Sequence, residues 1–126
     1  MTPQSITRKI ESINPHKKNP FFCIDDPATG NYIQCLRRPS GYVLETRYFF
    51  NRDWSKFVHY RGWWPDGHST RGEARPRTGE WGPWEYERDR VPIDAAIAAF
   101  LLFREKPTTL PEVNGLLWRN VTNEFP

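Results

Sequence analysis

The chain has 126 residues, a formal net charge of +3, 15% aromatic residues with six Trp among them, and two cysteines. That length fits a single domain over residues 1–126, with enough apolar and aromatic area to fold without disulfide or metal staples, and it excludes a chain disordered throughout. The charge divides as +3 over residues 1–20, +1 over 21–60, 0 over 61–90 and −1 thereafter, too diffuse for the concentrated basic face of a nucleic-acid binder.

Thr2-Pro3 opens a short helix, Thr as the cap and Pro at the first helical position, with Ile6, Ile10 and Ile13 on one face. Asn14-Pro15 stops it. Arg8, Lys9, Lys17 and Lys18 are read as solvated charges at the helix end. Phe21-Phe22-Cys23-Ile24 is a brief apolar run taken as a first strand, closed by the turn signal of residues 25–30.

The most informative stretch follows, residues 30–47, which reads as a β-hairpin. Tyr32, Gln34 and Leu36 oppose Ile33 and Cys35 across the first strand; Tyr42, Leu44 and Thr46 oppose Val43, Glu45 and Arg47 across the second. Gln34, Glu45 and Arg47 are expected on one exposed sheet surface beside aromatic neighbours, a composition suited to recognition. Pairing of Glu45 with an Arg across strands is the plainer reading of the same acid.

Tyr48-Phe49-Phe50 extends the second hairpin strand, Asn51-Arg52-Asp53 marks a turn, and residues 56–61 read as a third antiparallel partner, giving a meander. From Gly62 to Arg90 the pattern breaks into a segment with five Gly, three Pro and four Trp. This is a functional loop packed by Trp63, Trp64, Trp81 and Trp84, or a loop carrying two more strands, with residues 84–87 the best placed. The clearest helix runs from Asp94 to about Arg104, apolar nearly all round and therefore buried against the sheet. Pro107 ends it, and residues 116–121 form a final strand or an apolar cap. The expected fold class is α+β: an antiparallel β meander packed by an N-terminal helix and a buried C-terminal helix on one sheet face.

Chemistry has little foothold. His16, His59 and His68 lie in separate segments without metal-ligand spacing to one another or to Cys23 and Cys35. No metal, cofactor or catalytic group is expected. His59 is read as an ordinary hydrogen-bonded histidine in a strand. Asp66-Gly67-His68-Ser69 holds the residue types of a hydrolytic triad, but triads assemble from separated segments. The glycines of the long segment lack phosphate-loop spacing, and Glu45 with Glu85 or Glu87 would make an acid and base pair only at the right separation. Both cysteines are read as reduced, buried thiols. No apolar stretch approaches the length needed to cross a bilayer and the first residues lack the apolar core of a secretion signal, so a cytoplasmic protein is expected.

The hairpin, with Tyr32-Ile33-Gln34 in one strand and Tyr42-Val43-Leu44-Glu45-Thr46-Arg47 in the other, resembles the immunity proteins that protect bacteria from their own polymorphic toxins. The tail resembles the subgroup paired with deaminase-type toxins, in which an Ala-rich helix ending in Phe precedes Leu-Pro and then a Trp; here residues 94–100 precede Leu110-Pro111 and Trp118. These patches cover about half the chain. The resemblance implies a non-enzymatic α+β protein that binds the toxin domain encoded beside it and occludes its active site in the cytosol. Its mild basicity departs from the acidic members that counter nucleic-acid-attacking toxins, and the Trp-rich segment is a second departure. Partner-binding residues on this reading are Gln34, Glu45, Arg47, Trp63, Trp64, Trp81 and Trp84. The alternative is a small nucleic-acid-binding module using the Trp- and Arg-rich loop, against which the acids of that loop would repel a phosphate backbone.

Overall fold

The computed structural model describes residues 1–18, 20–65 and 89–125. It is an α+β fold with α1 at Pro3–Glu11, strands β1 at Phe21–Asp25, β2 at Tyr32–Arg38, β3 at Gly41–Phe50, β4 at Asp53–Trp63 and β5 at Arg90–Val91, then α2 at Ile93–Glu105 and β6 at Leu117–Asn120, ending in a single 3-10 turn at Thr122–Glu124. All strand pairs are antiparallel.

Capping starts α1 as the sequence predicts. Thr2 Oγ1 accepts from the Ser5 N–H at 3.1 Å, Pro3 takes the first helical position, and Ile6 and Ile10 are buried. The start of α2 differs: the helix begins at Ile93 behind Pro92, which has no side-chain cap to offer, and Asp94 serves instead as an acid in the first turn. Nor is α2 buried all round, since Leu102 is 42% exposed while Ala95, Ala96, Ala99, Phe100 and Phe103 face inward. Small Ala side chains on the inner face let the helix approach the sheet, and Phe22 stacks on Phe100 with ring centroids 5.6 Å apart.

Strand order is β1-β2-β3-β4-β6, with β5 against β3. The meander therefore holds through four strands. Pairing between β3 and β4 ends at Glu45 and Arg61, beyond which Gly62 and Trp63 pair with Trp118 and Leu117 of β6; β5 then takes the freed edge of β3 at Tyr42 and Val43. Trp63 thus belongs to a strand and not to the loop in which the sequence placed it. Residues 84–87, the expected further strand, lie outside the described residues, as do Asp66, His68, Trp81 and Trp84.

Both helices cover one face of the sheet. Ile33 and Cys35 of β2, Tyr42 and Leu44 of β3 and Val91 of β5 pack with Ile6, Ile10, Ile13, Phe100 and Phe103 in the core. Hydrogen bonds fasten the layers: the Tyr42 hydroxyl donates to the Ile10 carbonyl at 3.1 Å, and the Arg37 guanidinium to that of Ile13 at 2.7 Å. The connection after α2 is held by Asn31, which donates to the Pro107 carbonyl, and by the Trp118 indole N–H, which donates to that of Pro111 at 2.9 Å. Cys35 is buried and its thiol is pushed up to about 12 by that burial, opposed in part by a backbone hydrogen bond from Phe22. Cys23, expected buried, is exposed. It pairs in register with Gln34 and so points to the opposite face from Cys35. Among the described residues no helix is long and apolar enough to cross a membrane.

Candidate functional site

The sheet face away from the helices carries the polar residues of the hairpin. Register sets Gln34 opposite Glu45, Glu45 opposite Arg61, and Arg61 opposite Arg119, a continuous row across β2, β3, β4 and β6. One row along, Tyr32, Arg47 and His59 are aligned in the same way. Gln34, Glu45 and Arg47 therefore share a face, as their alternation predicts.

Exposure is where the structure departs from expectation. Glu45 is only 1% exposed, Arg61 0% and His59 1%, so the acid is a buried member of a charge network and not an open contact. Gln34 Nε2 donates to Glu45 Oε1 at 2.9 Å, and Arg61 donates to Glu45 Oε2 from Nη2 at 2.7 Å and from Nε at 3.1 Å. Cross-strand pairing of Glu45 with an Arg is thus what the structure contains. Asp89, fully buried just before β5, continues the chain of charges, 3.7 Å from Arg61 and 2.9 Å from Arg119, which in turn donates to Glu124 at 3.1 Å. Opposite charges alternate along this chain, Glu45, Arg61, Asp89, Arg119 and Glu124, the arrangement that makes burial of ions tolerable.

His59 joins the two rows. Its Nδ1 accepts from Arg47 Nε at 2.9 Å, which requires a neutral ring with the proton on Nε2. That Nε2 lies 3.4 Å from Glu45 Oε2 without the alignment of a full hydrogen bond. Burial, joined by the positive charges of Arg47 and Arg61, lowers the His59 pKa against the pull of Glu45. For Glu45 burial alone would raise the pKa, but His59 and Arg61 together outweigh it and hold the carboxyl well below the usual carboxylate range. The acid is ionised and the imidazole neutral at pH 7.

Around the second row the chemistry turns aromatic. The Arg47 guanidinium carbon sits 3.8 Å from the Phe57 ring centroid and 4.7 Å from that of Phe125, two rings set at 83° to each other, with Tyr32 at 5.8 Å. Phe125 also lies 4.5 Å from the His59 ring. Phe49 links this corner to Trp54, whose ring meets it edge-on at 4.8 Å and remains 64% exposed.

The Trp pair of the long segment divides. Trp63 closes β4 opposite Leu117, half-buried on the polar face. Trp64, partly buried, packs against the core with its ring over Gly115, in keeping with the packing role the sequence also allowed it. Sequence reasoning missed Arg61, Asp89, Arg119, Phe57, Phe125 and Trp54. The alternation that selected Gln34, Glu45 and Arg47 would have found Phe57, His59 and Arg61 had it been applied to β4. Among the described residues no group of three or more His, Cys, Asp or Glu could hold a metal ion. No protein-family model, no curated protein and no solved structure matches this chain.

Proposed function

We propose that this chain is an immunity protein, which binds a toxin domain encoded in the adjacent gene and blocks its active site by occupying the space in front of it. The observation that carries the reading is the polar face of the sheet at the β3–β4 end, where the exposed Trp54 packs on Phe49, Phe49 on Phe57, and Phe57 on a partly buried Arg47. Trp, Tyr and Arg dominate binding energy at protein interfaces because they combine large apolar area with directional polar groups. Behind this rim the Glu45, Arg61 and Asp89 network is internally paired, so it supports a rigid surface more readily than a reaction. The producing cell's cytosol is the compartment this function requires.

Sequence features behind the resemblance to immunity proteins are mostly internal: Ile33, Tyr42 and Leu44 are core residues, and Trp118 and Pro111 hold the connection after α2. They specify the scaffold, while recognition falls to the rim. Co-expression of the chain with the neighbouring toxin domain is expected to restore growth and to yield a complex in pull-down. Trp54→Ala should weaken that complex by about 2 kcal/mol or more while leaving the fold intact. Absence of both rescue and complex would overturn the proposal.

A further inference from the structure

We infer that Arg47, seated in the aromatic corner of the polar face, is the receiving site for a single carboxylate side chain flanked by apolar residues in the partner. This rests on the binding reading above and adds the partner's chemistry.

The three described arginines of the two rows are differently provided for. Arg61 has Glu45 at 2.7 Å and Arg119 has Asp89 at 2.9 Å. Arg47, only partly buried, has ring faces and the imidazole of His59 as its described neighbours. No carboxylate among the described residues pairs with it. Phe57 and Phe125 stand at 83° to each other, so the guanidinium cannot lay a planar face on both, and its N–H donors project in its own plane. With Nε committed to His59, the two terminal nitrogens keep their donors, held in a fixed orientation by Phe57 and Phe125. That is the preorganised fork a carboxylate meets with two parallel hydrogen bonds, and the surrounding rings exclude the water that would compete for it.

Local charge favours a lone carboxylate over a phosphate chain. In register the row runs Asp25, Tyr32, Arg47, His59, and Asp53 opens β4 at the same end of the sheet. A phosphodiester backbone would run on past Arg47 into these acids, whereas one acidic side chain flanked by apolar residues meets Arg47 at its centre and, along its flank, the Phe57, Phe49 and Trp54 rings that lead away from it.

The test is a titration of the full chain, 15N-labelled and followed by NMR at the Arg47 Nε–Hε and Trp54 indole signals. The probes are a capped peptide with one glutamate between two leucines, its glutamine counterpart, and inorganic phosphate. The glutamate peptide is expected to move both signals, and Arg47→Lys, which keeps the charge and loses the fork, to weaken it about tenfold. Lys56→Gln, at an exposed position in the β4 bulge, should leave it unchanged. Equal binding of the glutamine peptide, shifts confined to other residues, or tighter binding of phosphate would overturn the inference, the last pointing to nucleic acid; the comparison of wild-type titrations needs no variant. With the toxin domain as ligand, affinity indifferent to Arg47→Lys overturns this inference and leaves immunity standing. A toxin that does not bind the wild-type chain overturns immunity, and the peptides still decide the Arg47 site.

Discussion

Glu45 occupies the position where one side chain meets the most neighbours of consequence: Gln34, Arg61 and His59 all address its two oxygens. Replacing it with Ala would take the closest counter-charge from the fully buried Arg61, leaving Asp89 at 3.7 Å, and removing one partner of a buried ion pair costs about 3–5 kcal/mol. Urea unfolding of Glu45→Ala should show that loss as a lower midpoint with an unchanged slope. Pairing Glu45→Leu with Arg61→Met should return much of it, because a well-packed apolar pair of similar volume is not penalised by desolvation. A loss below about 1 kcal/mol in the single variant would mean that the pair behaves as a solvated surface bridge.

At the scale of elements, fit depends on close approaches that only particular residues permit. Gly115, just before β6, has φ +87°, and a Cβ added there would stand 2.8 Å from the Trp64 ring. Gly115→Ala combines a left-handed backbone penalty with overpacking and is expected to destabilise by about 2–4 kcal/mol; Trp64→Leu in the same chain should recover the packing share alone. The helices and the four-strand meander were legible because capping, alternation and turn residues act locally: Thr2, Pro3, the Ile33 and Cys35 alternation and the Asn51-Arg52 turn each state their own conformation. The site was less legible because it depends on register. Asn51 and Arg52 both have positive φ and join Phe50 to Asp53, a tight two-residue turn which, continued regularly, would set Glu45 against Val58. The bulge after Phe49 slips the pairing by three residues and brings Arg61 across from Glu45 and His59 across from Arg47. Nothing in the local sequence of Glu45 encodes that slip. Equally, Asp89 and Phe125 reach the face only through tertiary folding, which is why an acid expected in the open proved to be enclosed.

For the whole molecule, the buried network ties stability to pH through two groups of opposite kind. The His59 pKa is lowered in the fold from its ordinary 6.5, so below that value the unfolded chain takes up a proton that the folded chain refuses. Its contribution is complete above 6.5 and is lost as the pH falls. Glu45 is lowered from 4.5, so its contribution is present above 4.5 and is lost as the pH falls further, through its folded-state value. Both limbs descend toward acid, each by up to about 1.4 kcal/mol per pH unit where one proton separates the two states. Unfolding free energy measured by urea titration should therefore change little from pH 8 to pH 7, begin to fall near 6.5 and fall again below 4.5. His59→Asn, which keeps an acceptor for Arg47 Nε and removes the titrating ring, should erase the first limb and spare the second. An unaltered first limb in that variant would assign the neutral-range titration to another group and remove His59 from the electrostatic account.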